Sequence, residues 1–153
     1  MRVLVLAASA LLALPALAEM RDEEHLAGDR LVRITGVESM EILTVGPSEH
    51  EQMQVLSGAD VEIVAFAADQ DSVALLSQPV LVAEVTGTHS CEAGDARAYW
   101  VVTLGDPPAP EGPVTTCSEL TASVIPGAVV LEADPMGAGE AWLWVSGKGW
   151  KGQ

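Results

Sequence analysis

The sequence predicts an all-β fold, a single antiparallel sandwich or barrel of about eight short strands with one disulfide. Short apolar or alternating runs recur along the chain, with Gly- and Pro-containing breaks between them. No long stretch has the period of an amphipathic helix. The only two cysteines, Cys91 and Cys117, flank the most strand-like part of the sequence. These three observations set the fold class.

The first eighteen residues predict export rather than structure. Arg2 precedes an apolar run over residues 3–14, which ends at Ala16-Leu-Ala18 before an abruptly charged segment. One positive charge, a short apolar stretch and small residues at the cut are typical of a secretory signal peptide. The run is too short to span a bilayer, so no membrane anchor is predicted. We therefore expect a signal peptide over 1–18 and a periplasmic or secreted single β domain over 19–153.

The charge balance excludes some classes of partner. The chain carries 22 acidic and 7 basic residues, a formal net charge of −15 at pH 7. Such a field repels phosphate backbones and anionic lipid surfaces, so no nucleic-acid partner is expected. The acids are spread along the chain, which indicates a solvated, mutually repelling surface; a specific cationic partner is the alternative.

The N-terminal half of the mature chain predicts four strands after a frayed, charged segment at 19–27. The predicted strands are Arg30–Thr35, Met40–Val45, Ser48–Leu56 and Val61–Ala67. The third is ambiguous, because Ser48 and Glu51 also fit a helix capping box. The fourth is apolar on both faces and is therefore expected inside a sheet. Residues 73–77 fit one helical turn.

The C-terminal half continues the strand pattern. Two strands are predicted at Val80–Thr86 and Ala98–Leu104, with a tight corner at Gly87–Cys91 between them. An extended surface loop at 105–113 and a hairpin of 120–125 and 128–133 follow. The last strand is predicted at Glu140–Ser146, before a frayed tail at 147–153. Pro126-Gly127 places proline second and glycine third in a turn, which predicts the hairpin.

The two cysteines permit one intramolecular disulfide, and an exported protein lies where disulfides persist. Closing a loop of about 26 residues would stabilise the fold by roughly 3 to 3.5 kcal/mol in the chain-entropy model. The alternative is a catalytic thiol at Cys91 with His89 as its base, which needs a free cysteine. We predict the Cys91–Cys117 disulfide and no catalytic residue.

Metal ligands are sparse. The three histidines, His25, His50 and His89, are far apart and lack the ligand spacing of a zinc site. Glu49 and Glu51 flank His50 on what we interpret as a solvated strand edge. No zinc site is predicted.

Calcium is the other candidate metal. Asp69 and Asp71 offer carboxylates in one turn, with Glu92 or Asp95 as further donors. The glycine and terminal glutamate of a calcium-binding loop are missing, which favours a plain acidic turn. The sequence also lacks the glycine-rich, Gly-x-Ser-x-Gly and His-Glu-x-x-His motifs. No metal or cofactor is predicted.

Three of the four tryptophans, Trp142, Trp144 and Trp150, fall within nine residues of the C-terminal segment. Trp142 and Trp144 share one face of the last strand. An exposed pair would form a platform for a sugar ring or a protein partner, so the three residues are a candidate binding surface. The alternative is that this pair packs the core. Trp150, between two lysines, is expected to be exposed.

The order of these motifs resembles a group of small secreted bacterial β-rich domains. The resemblance rests on Gly87-Thr-His-Ser-Cys91 before a strand that begins Ala98-Tyr-Trp-Val101, and on Thr116-Cys-Ser-Glu-Leu120 after it. It covers about residues 80–144. The resemblance implies a β fold and the disulfide, and it implies no particular activity.

The sequence thus predicts a non-enzymatic binding or inhibitor-like module of the cell envelope. Its partner would be a protein or a glycan, and the module itself is expected to be a monomer without a membrane anchor. A small secreted hydrolase whose site follows no known motif is one alternative. A structural component of an envelope assembly is the other.

Overall fold

The computed structural model describes residues 20–37, 39–92, 94–133 and 139–151, and for Thr88 and His89 the backbone only. The predicted signal peptide lies outside these residues. Among the residues described, no helix is both long and apolar enough to cross a membrane.

In the described residues, twelve strands form three antiparallel sheets of four strands each, and each of these sheets is built from strands that follow one another in the chain. Sheet A contains β1 (Arg21–Ala27), β2 (Arg30–Val37), β3 (Met40–Gly46) and β4 (Met53–Gly58). Sheet B contains β5 (Asp60–Ala67), β6 (Val80–Cys91), β7 (Gly94–Thr103) and β8 (Ala109–Thr116). Sheet C contains β9 (Thr121–Ile125), β10 (Ala128–Glu132), β11 (Ala141–Val145) and β12 (Gly149–Lys151). Helix α1 (Gln70–Leu76) lies between β5 and β6 in the chain.

Sheet B is the middle layer. Strand β6 is buried at every position from Val80 to Val85. Leu81 and Ala83 belong to the core shared with sheet A, whereas Val80 and Val82 belong to the core shared with sheet C. A strand covered on both faces needs an apolar side chain at successive positions, which is why this segment reads as a continuous apolar run.

The predicted antiparallel β architecture with one disulfide is confirmed, in the form of stacked sheets. The number of strands is twelve where about eight were expected. Three segments account for much of the difference: 21–27 is strand β1 and not frayed, 109–116 is strand β8 and not a loop, and 149–151 is strand β12 within the tail expected to fray. All three lie at the edges of their sheets, where charged residues, prolines and short strands are tolerated.

The predicted hairpin at Pro126-Gly127 is confirmed. Strands β9 and β10 pair from Ile125–Ala128 onward, and Gly127 has φ +78°, a conformation that favours glycine. The amide of Gly127 also donates to the carbonyl oxygen of Leu75 at 2.9 Å, which fixes the hairpin against helix α1.

Other local predictions needed correction. The segment Val61–Ala67, expected inside a sheet, belongs to β5 at the edge of sheet B; its apolar residues pack on the two neighbouring layers and not between two strands. Helix α1 begins three residues before the predicted turn, because the carboxylate of Asp69 caps its first amides. The segment 48–56 is a strand only from Met53, after a turn closed by the Glu51 amide and the Ser48 carbonyl oxygen. The corner expected at 87–91 is absent, since β6 continues to Cys91 through a shift in its pairing with β7.

The disulfide joins the tip of the β6–β7 hairpin to the end of β8. Cys91 pairs with Gly94 next to the hairpin tip, and Cys117 directly follows β8. Their Cα atoms are 5.9 Å apart, within the usual range for a disulfide. A free thiol at Cys91 is therefore excluded in this structure; the side chain of His89 lies outside the described part.

Candidate functional site: a cleft beside Trp100

The predicted tryptophan surface is largely core. Trp144 is 0% exposed and its indole Nε1 donates to Glu111 Oε2 at 2.9 Å. Trp150, expected to be exposed, is half-buried, and its Nε1 donates to the Glu111 carbonyl oxygen at 3.1 Å. Trp142 is half-buried against the same core. The binding-surface interpretation is wrong for Trp144, which packs the core as the alternative for the Trp142 and Trp144 pair predicts.

The carboxylate of Asp69, a candidate calcium ligand, caps helix α1. Its Oδ1 accepts hydrogen bonds from the amides of Asp71 and Ser72 at 3.0 Å, and its Oδ2 accepts from Ser72 Oγ at 2.6 Å. The Ser72 hydroxyl, followed by the Ser72 amide, lowers the pKa of Asp69 because both stabilise the carboxylate. Glu92 and Asp95 lie beside the disulfide instead.

The histidines do not assemble a zinc site. His50 lies in an exposed turn with Glu49 and Glu51, so the strand-edge interpretation is wrong although its exposure is correct. His25 contacts Glu23 on β1. Within the described ranges, no three histidine, cysteine or carboxylate side chains lie close enough together to hold a metal ion.

A buried polar cluster lies between sheets B and C. Glu84 Oε1 accepts from Arg97 Nη1 at 2.6 Å, and Glu84 also hydrogen-bonds the Tyr99 hydroxyl. The Tyr99 oxygen in turn accepts from the Leu120 amide at 2.9 Å. Burial, with Glu84 as the second cause, raises the pKa of Tyr99 to about 12. Because these polar groups are paired with one another, the cluster joins the layers and offers no reactive group.

A cleft of about 460 Å³ lies between sheets A and B. It is lined by Gln54, Val55, Leu56, Ser57, Val85, Ala98, Trp100, Pro113 and Thr115. The first four are consecutive residues of β4. Consecutive side chains of a strand point to opposite faces, so a cleft touched by all four runs along the edge of β4. Its floor consists of residues from β6, β7 and β8.

Trp100 is the main apolar surface of that floor. The pairing of β7 with β8 shifts between Tyr99 and Val101, so Trp100 lies at the irregularity. Gly112 of β8 lies beneath it, since a Cβ atom on that glycine would fall 3.1 Å from Cε3 of the indole ring. Because Gly112 has no side chain, the indole ring can lie against the backbone of β8. The ring is half-buried at the margin of the A–B core.

The residues that line the cleft are apolar or carry uncharged polar groups. No charged side chain is among the residues that line it. Apolar surface from Val55, Leu56 and Trp100 is combined with the hydroxyls of Ser57 and Thr115. This is the usual make-up of a ligand site, in which a few polar groups orient an otherwise apolar ligand. Nucleophilic or acid–base catalysis would need an activated side chain or a titratable group, and none lines the cleft.

Sequence reasoning missed Trp100. The signal was present, because Trp100 is a large aromatic with small Ala98 on the same face of the strand. A small neighbour leaves one side of a tryptophan ring without contacts. The three C-terminal tryptophans, which are close together in the sequence, pack in or against the same core.

An ion pair between β1 and β3 contacts strand β5 of sheet B. Arg21 Nη1 donates to Glu41 Oε2 and to the carbonyl oxygen of Val61, both at 2.8 Å. The same Glu41 oxygen accepts from the Val61 amide at 2.8 Å. Both backbone groups of Val61, on edge strand β5, are thus satisfied by side chains of sheet A. Gly36 pairs with Arg21 and with Glu41, and a Cβ atom on it would fall 2.2 Å from the Met40 carbonyl oxygen.

Along β1, charged and aromatic side chains make further contacts with one another and with β5. Glu23 Oε2 accepts from the Arg21 guanidinium at 2.8 Å, and its Oε1 lies 2.5 Å from Nε2 of His25. The His25 ring then stacks at a tilt on Phe66 of β5, with the ring centroids 5.3 Å apart. Side chains thus link β1 to β5, and a second concave site of about 500 Å³ lies beside His25 and Phe66.

No protein-family model, curated protein or solved structure matches this chain. The resemblance to small secreted bacterial β-rich domains stays a prediction.

Proposed function

We propose that this protein is an exported, non-enzymatic binding module that recognises its partner through the cleft beside Trp100. The cleft carries the proposal: it combines about 460 Å³ of concave volume, a half-buried indole and uncharged polar groups on a rigid β scaffold. Ligand-binding pockets of proteins commonly have volumes of this order. The disulfide accords with an oxidising compartment outside the cytoplasm, as the apolar leader also predicts.

The inhibitor-like reading is a special case of this function. A small β domain inhibits a hydrolase when a rigid surface binds the enzyme without being turned over. The Trp100 cleft is held by two layers and by the disulfide at the end of β8, so little conformational entropy is lost on binding.

The experiment is a selection for binders followed by a test of where they bind. Immobilised protein, oxidised and without residues 1–18, is used to select from a display library of random peptides and is also applied to a glycan array. Each binder is then measured against Trp100→Ala and against Trp142→Ala, a variant of another half-buried tryptophan on sheet C. We expect at least a tenfold loss of affinity for Trp100→Ala and little change for Trp142→Ala.

Trp100 also packs on the core, so Trp100→Ala must be shown to fold by near-UV circular dichroism. Thr115→Lys provides a second route, because Thr115 is exposed on the rim and its replacement fills the cleft without removing core contacts. Binders that ignore both cleft variants would overturn the proposal, and so would the absence of any binder in both collections.

A further inference from the structure

We infer that the occupant of the cleft is an extended, basic and apolar segment of another protein, which adds to sheet A as a fifth strand beside β4. This inference rests on the proposed function and names the chemistry of its ligand. Four steps carry it: the state of the strand edges, the position of an added strand, the charge of the chain and the form that the binding must take.

The edges of the three sheets are treated differently. At β5, side chains from sheet A satisfy the backbone of Val61. At β8, Trp150 of sheet C donates to the Glu111 carbonyl oxygen. Strand β1 carries five charged or titratable residues in seven positions. Proteins protect exposed edges in such ways because an unprotected edge pairs with other chains.

Strand β4 has none of these protections. Its six residues, Met53–Gly58, include no charge and no proline. In the part of the chain that the structure describes, the hydrogen bonds recorded for its backbone are those of its pairing with β3. Strand β9 is also uncharged, but it lies against helix α1, where the adjacent Gly127 amide is bonded to Leu75. Strand β4 is therefore an edge able to accept a partner strand.

An added strand would lie over the floor of the cleft. Paired strands lie about 4.8 Å apart and stacked sheets about 10 Å apart. A segment paired with β4 would therefore be held above Trp100, Pro113 and Thr115, the floor residues on β7 and β8. Alternate side chains of the segment would point down onto the indole, and those between would point to solvent. Strand β4 can pair with about six residues, of which about three would face the cleft.

Charge decides between a second copy and another protein. A second copy would bring another −15 against the first, which opposes self-association through β4. A basic segment would be attracted by the same field, mainly through its rate of association. The cleft itself is uncharged, so the inward side chains should be apolar and the basic residues should occupy the solvent-facing positions.

The test uses peptides selected from the random display library on the wild-type protein. We expect enriched sequences in which apolar residues alternate with Lys, Arg or Thr. Single N-methylation along one such peptide should reduce affinity at least tenfold at every second position and little at the positions between, because only alternate amides face β4. Amides of residues 53–58 should gain protection from hydrogen exchange on binding.

Two lysine substitutions provide a matched comparison. Ser57→Lys and Ser123→Lys each place a lysine at an exposed serine of an uncharged edge strand, on β4 and β9 respectively. Ser57→Lys should weaken binding about tenfold or more by repelling the basic segment, whereas Ser123→Lys should leave it within twofold.

The outcomes separate this inference from the proposed function. Peptides or glycans that need Trp100 but show no alternating N-methyl effect and no protection of 53–58 would overturn strand addition and leave the binding cleft intact. A dimer in sedimentation velocity that protects the same amides would identify a second copy as the occupant and overturn the inference. Binders insensitive to Trp100 would overturn both.

Discussion

The two edges of sheet A are opposites. At β1, Arg21, Glu23 and His25 face β5 and satisfy charges and backbone groups across the gap between the sheets. At β4, no charge is present and a cleft occupies the gap. The two sheets are thus joined by charged contacts at β1 and are separated by an uncharged cleft at β4.

The difference teaches where stability and binding reside. The β1 side holds long-range contacts that tie sheet A to sheet B, so changes there should alter the free energy of unfolding. Strand β4 itself has groups that are satisfied by solvent or by a partner, so changes on β4 should alter affinity. Four variants outside β4 test where stability resides, from the largest expected effect to the smallest.

Removing the disulfide should have the largest effect on stability. The bond lies at the end of β8, whose residues form part of the floor of the cleft. We expect the double variant Cys91→Ala, Cys117→Ala to lose about 3 kcal/mol of unfolding free energy, because the 26-residue separation is no longer closed in the unfolded chain. Urea denaturation followed by fluorescence measures this. A loss below about 1 kcal/mol would mean that the floor of the cleft does not need this link.

Glu41→Ala should be next, at about 2 to 3 kcal/mol. Glu41 is only 7% exposed, and its loss would leave the Arg21 guanidinium and the Val61 amide without their acceptor. The estimate is below that for a fully buried pair because the Arg21 side chain is 29% exposed. Glu62→Ala, an exposed glutamate on the neighbouring strand β5, is the matched control and should stay within about 0.5 kcal/mol. Equal losses for both variants would break the comparison between the edges.

Much of the scaffold could be predicted from local patterns. The run at Val80–Thr86 indicates a strand, Pro126-Gly127 indicates a turn, and two cysteines in a chain predicted to be exported indicate one bond. Each of these signals lies within a few residues or, for the cysteines, has a single solution.

The candidate site could not be predicted in this way, for reasons that are physical. The charged residues of β1 look like a frayed segment, because the partner of Arg21 is Glu41, 20 positions away. The cleft depends on how far sheet A extends over sheet B, which no local pattern encodes. The position of Trp100 depends on an irregularity in β8 at Gly112. Strand β8 was not predicted because a proline-rich sequence is not typical of a strand.

A third prediction concerns Gly36 of β2, where the backbone of β3 lies too close for a side chain. A Cβ atom at Gly36 would lie 2.2 Å from the Met40 carbonyl oxygen, whereas at Gly94 nothing lies within 4 Å. Both glycines have positive φ, 154° and 143°, so alanine is strained at either position. We expect Gly36→Ala to cost about 1 to 2 kcal/mol more than Gly94→Ala, because the steric clash is added to a similar strain. Equal values for the two variants in urea denaturation would show that the backbone of β3 moves away from a Cβ atom at Gly36 at no cost in stability.

The smallest effect is a pH dependence from Glu23. The hydrogen bond from Arg21, then that from His25, holds the pKa of Glu23 below its ordinary value of 4.5. The folded protein therefore binds this proton less readily than the unfolded chain, and the contribution of Glu23 to stability is present above pH 4.5 and is lost as the pH falls through the folded pKa. Because the side chain is 41% exposed, solvent screening limits the contribution to a few tenths of a kcal/mol. The difference in unfolding free energy between the wild type and Glu23→Gln should therefore be positive at pH 6 and shrink toward pH 3, while the effect of Asp69, present in both proteins, cancels. A difference that grows as the pH falls would mean that Glu23 is not held by Arg21. Of these two carboxylates, only Glu41 would then fix Arg21 in its contact with β5.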